Sequence, residues 1–200
     1  MSTLTLTGTE QSNFDRLMKQ SYKKVYSLAY RLSGNRVDAE DLTQEAFFRA
    51  YRGFREFEGD RPFENWIFRI LTRLFLDLVR SRKRRIQAMS FDAPLRVDGG
   101  DDSVGLDVAD RRMNAEDVIM QSAVSEPLEQ ALNQLKPDQR ALVLLADVEG
   151  VPYNDIAAMF GIPVGTVRSR LHRAHKQLRA TLEKSPANKA KVPGRLCLAG

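Results

Sequence analysis

The chain has 200 residues, 42% of them hydrophobic, and 31 Lys and Arg against 26 Asp and Glu leave a net charge of +5. That length admits one large domain or two small ones, and no apolar run is long enough to cross a membrane, so no membrane insertion is expected. A single cysteine, Cys197, excludes an internal disulfide and a Cys-based zinc cluster and fits a reducing cytoplasm.

Residues 1–12 carry little pattern and read as a mobile tail. The start, MSTLTLTGTEQSN, has neither a charged n-region nor an apolar h-region, so no secretion signal is expected. From Phe14 onward, Leu17, Met18, Val25, Leu28 and Leu32 recur at helical spacing, with Gly34 as the stop. In the next stretch, RVDAEDLTQEAFFRAYRGF, Asp38 is the expected cap of a helix that buries Ala39, Leu42, Ala46 and Ala50. Its outer side shows Asp41, Glu45, Phe48 and Arg52. Like charges at Asp41 and Glu45 mildly destabilise an isolated helix. Acids near a helix N-terminus favour the macrodipole, which accounts for Asp38, Glu40 and Asp41 but poorly for Glu45. An acidic patch beside an exposed phenylalanine also suits a basic surface on a partner.

A loop rich in Phe and Arg, FREFEGDRPF, leads into FENWIFRILTRLFLDLVRSRKRR. Trp66, Ile67, Ile70, Leu71, Leu74, Phe75 and Leu78 make this helix apolar around most of its circumference, which implies burial against more than one neighbour. The remaining stripe holds Arg69, Thr72, Arg73, Asp77 and Arg80, with Trp66 at its edge. Aromatics beside guanidinium groups offer stacking surfaces for unpaired bases and a track for phosphates, although any one of Phe63, Trp66 and Phe68, taken alone, is more often simply core. Residues 87–124 reverse the sign of the charge, contain Pro94 and Gly99–Gly100, and read as an extended acidic linker.

The second domain opens with Leu128, Leu132 and Leu135 on one helix. Pro137 starts the next, which Leu142, Leu145 and Val148 carry to Gly150. From Val151 to Leu178 the chain reads as two helices joined by a tight turn. Ile156, Ala157 and Phe160 give the first an apolar side, Gly161 breaks it, Pro163 pre-sets a new start and Thr166 stands as the expected cap. Val167, Leu171, Ala174 and Leu178 form one packing face of the second helix. At about 100° per residue, Ser169, His172, Arg173 and Lys176 lie opposite, flanked by Arg168 and Arg179. A basic amphipathic helix alone is often just a solvated face. The small residue, the glycine turn and the packing valine instead match a helix-turn-helix whose second helix enters the major groove. After Lys184 the tail lacks periodicity and takes no role.

Taken together, these residues resemble the extracytoplasmic-function sigma factors of bacteria over nearly everything from Phe14 to Leu182. The resemblance implies an all-α fold of two helical domains, region 2 over 13–86 and region 4 over 125–184, joined by the linker 87–124 and flanked by tails 1–12 and 185–200. DAEDLTQEAFFRAYR is similar to the family's docking helix for the polymerase clamp, which implies contact through Asp41, Gln44, Glu45 and Arg49. FENWIFRI and LDLVRSRKRR are similar to the helix that melts and reads the −10 element. That implies roles for Arg61, Phe63, Trp66, Arg69, Arg73, Arg80, Arg82 and Arg84, with unpaired bases trapped in the loop around Phe57 to Phe63. GIPVGTVRSRLHRA resembles the −35 recognition helix, implying Arg168, Ser169, His172 and Arg173, to which the outward face adds Lys176. Arg73 stands where the family commonly has asparagine, and His172 where it often has an aromatic residue. Implied partners are core RNA polymerase (the clamp and flap regions of its large subunits), promoter DNA and an anti-sigma factor, which could hold the protein near the membrane. No cofactor is implied.

Two rival readings stand beside this one. A helix-turn-helix regulator that binds duplex DNA without polymerase explains 126–182 but leaves the helices at 38–52 and 63–85 without purpose. An enzyme has little support. His172 and His175 stand three apart with no third ligand evident and arginines around them, and no Gly-rich phosphate loop ends in Lys-Ser or Lys-Thr.

Overall fold

The structure is a computed structural model that describes residues 6–57, 59, 61–91 and 126–184. Most of the expected linker and the tail with Cys197 lie outside the described residues. The first domain consists of α1 (Gly8–Ser33), α2 (Arg36–Arg52), a 3-10 turn at Phe54–Glu56, and α3 (Phe63–Phe91). The second consists of α4 (Glu126–Asn133), α5 (Pro137–Val143) running into a π-helical turn (Leu144–Val148), α6 (Tyr153–Phe160) and α7 (Val164–Lys184). Among the described residues the fold is all-α, as the periodicity predicts.

Helix α1 begins inside the stretch read as a tail. Thr7 and Glu10 form a capping box: the Thr7 backbone N–H donates to Glu10 Oε2 at 2.7 Å, and the Glu10 N–H to Thr7 Oγ1 at 3.4 Å. Two donors of the first turn are thereby satisfied. Leu6 is buried and Phe14 packs edge-on to Tyr51, Phe54 and Phe63, so this end is tied to the core. At the other end Gly34 takes φ 75° and donates to Tyr30 O, the left-handed closure in which a side chain would be strained.

The cap of α2 is Asn35, not Asp38. Asn35 Oδ1 accepts the Asp38 N–H at 2.9 Å, one turn before the position expected. Asp38 serves another purpose. Arg82 of α3 grips both its oxygens at 2.6 and 2.7 Å, so α2 and the far half of α3 are clamped together. Burial pushes the Asp38 carboxyl up, but hydrogen bonds from Arg82 and Asn35 and the Arg82 charge hold it below the ordinary carboxylate range. The buried side of α2 is as the spacing predicts: Ala39, Leu42, Ala46 and Ala50 pack with Leu28, Leu32, Ile67, Leu71 and Phe75 in one core. Helix α3 runs five residues past the expected linker start.

In the second domain Val167, Leu171, Ala174 and Leu178 are all buried, which seats α7 on α4, α5 and α6. Gly161, at φ 64°, makes the turn between α6 and α7. Thr166 is not a cap, because α7 has already begun at Val164 and the Pro163 carbonyl accepts from Thr166 and Val167. Val148, expected in the packing face, is 45% exposed. The π-helical turn before it, closed by Glu149 N–H to Leu144 O at 3.0 Å, widens the helix and rotates Val148 off the face.

The two domains dock through Arg140, 2% exposed. Its Nε donates to Leu132 O (3.0 Å), its Nη2 to Asn133 O (2.9 Å) and its Nη1 to Leu32 O (3.0 Å). One guanidinium therefore caps the C-terminal carbonyls of α4 and of α1 in the other domain, a task its fixed fork suits. Burial lowers its pKa to about 10, so it stays charged at neutral pH.

Candidate nucleic-acid and partner interfaces

Three surfaces carry the expected site residues. The first is the outer face of α7. Arg168, Ser169, His172, Arg173 and Lys176 are all exposed on one side of the helix, because the buried side recurs at 167, 171, 174 and 178. Arg173 Nε folds back onto Ser169 O at 3.3 Å, and Ser169 Oγ donates to Thr166 O. Among the described residues the side chains of Arg168, His172 and Lys176 make no hydrogen bond or ion pair. His175 turns away from this face to Asp147, 2.7 Å distant, so the two histidines do not form a metal pair. No metal-holding group of His, Cys, Asp and Glu occurs among the described residues.

The second surface is the exposed edge of α3. Arg69, Arg73, Asp77 and Arg80 are exposed in sequence along it, with Trp66 half-buried at one end. Arg80 pairs with Asp77 at 3.1 Å, and Arg84 is exposed beyond. Three residues depart from the expected face. Thr72 is buried and its Oγ1 has no partner. Phe63 is 6% exposed, inside an aromatic cluster with Phe14, Phe54, Phe57 and Trp66, where it supports the surface rings rather than presenting its own. Arg82 is committed to Asp38. What the cluster presents is Phe57 against Trp66, their centroids 5.2 Å apart, beside Arg61 and Arg69.

Helix α6 of the other domain lies across this second surface. Asp155 faces Arg61 Nη1 at 3.4 Å and accepts from Asn65 Nδ2 at 3.3 Å. A cavity of about 380 Å³ remains between Phe57, Trp66 and Arg69 on one side and Asp155, Ala158 and Met159 on the other. A second, of about 500 Å³, lies between Arg73 and Arg80 of α3 and Gly161 and Arg170 beside the turn. Glu149 also enters this seam. Burial raises its carboxyl pKa, against the charges of Arg31 and Lys24 that lower it.

The third surface is the outer side of α2, where Asp41, Gln44, Phe48 and Arg49 are exposed and Glu45 is half-exposed. The like-charge problem is offset locally: Arg49 pairs with Glu45 at 2.7 Å and Arg36 with Glu40 at 2.7 Å. The Arg52 guanidinium sits 5.7 Å above the Phe48 ring. No helix among the described residues is long and apolar enough to cross a membrane.

Sequence reasoning missed Arg140, Asn65 and Asp155. Arg140 stands at the head of the apolar run ALVLL, right after the polar Asp138 and Gln139, so its burial has no local sign; the other two reveal themselves only across 90 residues of chain.

Comparison with known proteins gives two family matches, Sigma-70 region 2 over residues 17–85 and Sigma-70, region 4 over residues 125–178. The chain is 43% identical over 179 residues to the ECF RNA polymerase sigma factor SigE of Mycolicibacterium smegmatis, covering 89% of this chain and 65% of that relative's length. It is 32% identical to the ECF RNA polymerase sigma factor SigW of Bacillus subtilis, covering 86% of this chain and 90% of that one. Among solved structures it is similar to the sigma factor RpoE in complex with the anti-sigma factor NepR from Bartonella quintana. The TM-score there is 0.64 at 27% identity, over 87% of this chain and 99% of that one. CnrH in complex with the cytosolic domain of CnrY shares the fold, with a TM-score of 0.59 at 22% identity over 88% and 91% of the two chains.

Proposed function

The chain belongs to the extracytoplasmic-function sigma factors, and we propose that it binds core RNA polymerase and directs it to promoters whose −10 and −35 elements it reads. The observation that carries this reading is the pair of basic helix faces, on α3 and α7, joined in one chain to the exposed Asp41–Phe48 surface of α2. A duplex-binding regulator would use only the α7 face.

The outer side of α2, with Asp41, Gln44, Glu45 and Arg49, docks on the polymerase clamp, and region 4 reaches the flap. Region 2 then holds the unpaired −10 strand. Arg61, Arg69, Arg73, Arg80 and Arg84 track its phosphates, while Trp66 and Phe57, backed by Phe63, offer rings to bases at about 1–3 kcal/mol per stacked base. Arg82 acts there by fixing α3 against α2. Region 4 sets Arg168, Ser169, His172, Arg173 and Lys176 in the major groove of the −35 element, where one bidentate arginine discriminates by about 1–3 kcal/mol. The protein contributes specificity and no reaction of its own. It works with polymerase in the cytoplasm, takes an anti-sigma partner as the RpoE relative does, and through that partner is held near the membrane.

Transcripts started on genomic DNA by core polymerase, with and without this protein, test the reading. The expected result is a new set of 5′ ends downstream of one shared pair of −10 and −35 elements. Asp41→Arg with Glu45→Arg should abolish them, and Arg173→Ala should weaken −35 discrimination by about 1–3 kcal/mol. Transcripts that persist unchanged in the Asp41/Glu45 variant would refute the docking assignment. Binding to a promoter without polymerase as tightly as with it would favour a plain regulator.

A further inference from the structure

Arg170 departs from the other arginines of α7. It lies nearest the packing stripe instead of on the outward face, is half-buried, and lines the cavity of about 500 Å³ between α3 and the turn before α7. We propose that this cavity is a binding site for a small phosphorylated molecule, held by Thr72, Arg73 and Arg80 of the first domain and Arg170 of the second. The ligand is a free one, so the site does not rest on the promoter-reading assignment, although Arg73 and Arg80 belong to both.

The charges around the cavity do not cancel. Its two carboxylates are Asp77 and Asp138. Asp77 is paired with Arg80 at 3.1 Å, and Asp138 sits in the first turn of α5, where the helix dipole offsets it. Among the described residues Arg73 and Arg170 make no hydrogen bond or ion pair, so two guanidiniums line one cavity without a carboxylate of their own. Buried Leu76 and Met159 form part of the wall and exclude water, which strengthens the pull on an anion. Gly161 and Ile162 bring the N-terminal end of α7 to the same space, and its dipole has the same sign. Thr72 is an independent sign of a ligand. It is 2% exposed, lines the cavity, and its Oγ1 has no partner. A buried hydroxyl left unpaired is costly, and an acceptor arriving in the cavity removes that cost. A phosphate group suits this set because its several oxygens can accept from two guanidiniums and a hydroxyl at once. The volume lies in the range of small-molecule sites and leaves room for more than the phosphate itself.

Isothermal titration calorimetry with inorganic pyrophosphate, on the full chain with no DNA and no polymerase, reads the site directly. The wild type is expected to bind at a single site, and saturating pyrophosphate should raise its melting temperature. Arg170→Gln is expected to weaken binding about tenfold. Arg179→Gln, which removes the same charge from an exposed position of the same helix, should leave binding unchanged. Thr72→Val should weaken it severalfold while Thr72→Ser keeps it, a pattern that a role in packing alone would not give. The backbone of a DNA strand offers the same phosphate chemistry, and a fluorescein-labelled thymidine oligonucleotide separates the two sources: its binding should not respond to Arg170→Gln. Absence of pyrophosphate binding in the wild type, or wild-type affinity in either Arg170→Gln or Thr72→Val, would overturn the proposal. Equal losses of pyrophosphate and oligonucleotide binding in Arg170→Gln would overturn it too, because the cavity would then be part of the nucleic-acid track. None of these results bears on the transcription experiment, so the two readings fail separately.

Discussion

Helices α3 and α7 are the two most strongly basic helices among the described residues, and they face the solvent very differently. On α7 the apolar positions keep to one side, and the whole basic side stands clear of the protein. On α3 apolar residues occupy most of the circumference, and the arginine stripe that remains is overlain in part by α6. Composition does not separate them, since both are rich in arginine. What separates them is how much of each helix its own domain already uses. A helix that gives one face to its core has a free face, whereas one that supports a core on two sides leaves a narrow stripe that a neighbouring domain can cover.

The contrast depends on the anchor at Arg140, and removing that anchor is the strongest way to break it. Arg140→Ala leaves the buried carbonyls of Leu32 and Leu132 and the part-buried one of Asn133 without this donor and opens a cavity. Urea denaturation should show a loss of about 3–5 kcal/mol. Lysine should rescue little, because an ammonium cannot reproduce the fork. A variant as stable as the wild type would mean that the guanidinium does not join the domains.

Helix α3 has a tether of its own that α7 lacks, the Asp38–Arg82 pair, and acid should sharpen that difference. The Asp38 pKa is lower in the folded state than in the unfolded chain, so its stabilisation is present above the ordinary aspartate pKa and is lost as pH falls through the lower folded value. Asp38→Ala should cost about 1–3 kcal/mol at neutral pH, with Arg82 left partly exposed. The gap between wild type and variant should close below about pH 4. Parallel pH profiles, measured by urea denaturation followed through helical circular dichroism, would show that the pair contributes nothing.

The smallest expected effect also lies on α3. Thr72 Oγ1 is buried without a partner on the side from which the stripe emerges. Thr72→Val exchanges a hydroxyl for a methyl of similar shape and should stabilise the protein by up to about 1 kcal/mol. Oligonucleotide binding should not change. A destabilised variant would reveal a partner for that hydroxyl.

These differences mark how far the sequence could be read. The α7 face was legible because its periodicity is uniform and its packing stays within 60 residues of chain. Both domains followed from apolar spacing in the same way. The start of α1 is hidden from apolar spacing, which begins only at Phe14, although Thr7 and Glu10 spell a capping box. Asp38 was read as a cap when Asn35, three residues earlier, is the better-placed acceptor, which left the carboxylate for Arg82. Phe63 and Thr72 show the limit of a helical wheel. A helix that touches two neighbours has no outside to infer until the neighbours are placed. The covering of α3 by α6 was beyond reach for the same reason, because it depends on docking that no local pattern encodes.

The π-helical turn at Leu144–Val148 has a geometric consequence. Each residue of helix carries about 100° of rotation, so one residue's worth of widening re-phases everything that follows. Upstream of the turn sits Arg140, whose grip on Leu32 sets where the second domain is pinned. Downstream sit Glu149 and Asp155, whose bearing decides what the domain points at. The turn therefore works like the offset in a crankshaft, leaving the pivot in place and setting the angle of the arm. The aim of α6 at α3 is written in the number of residues between Pro137 and Gly150 as much as in their identity.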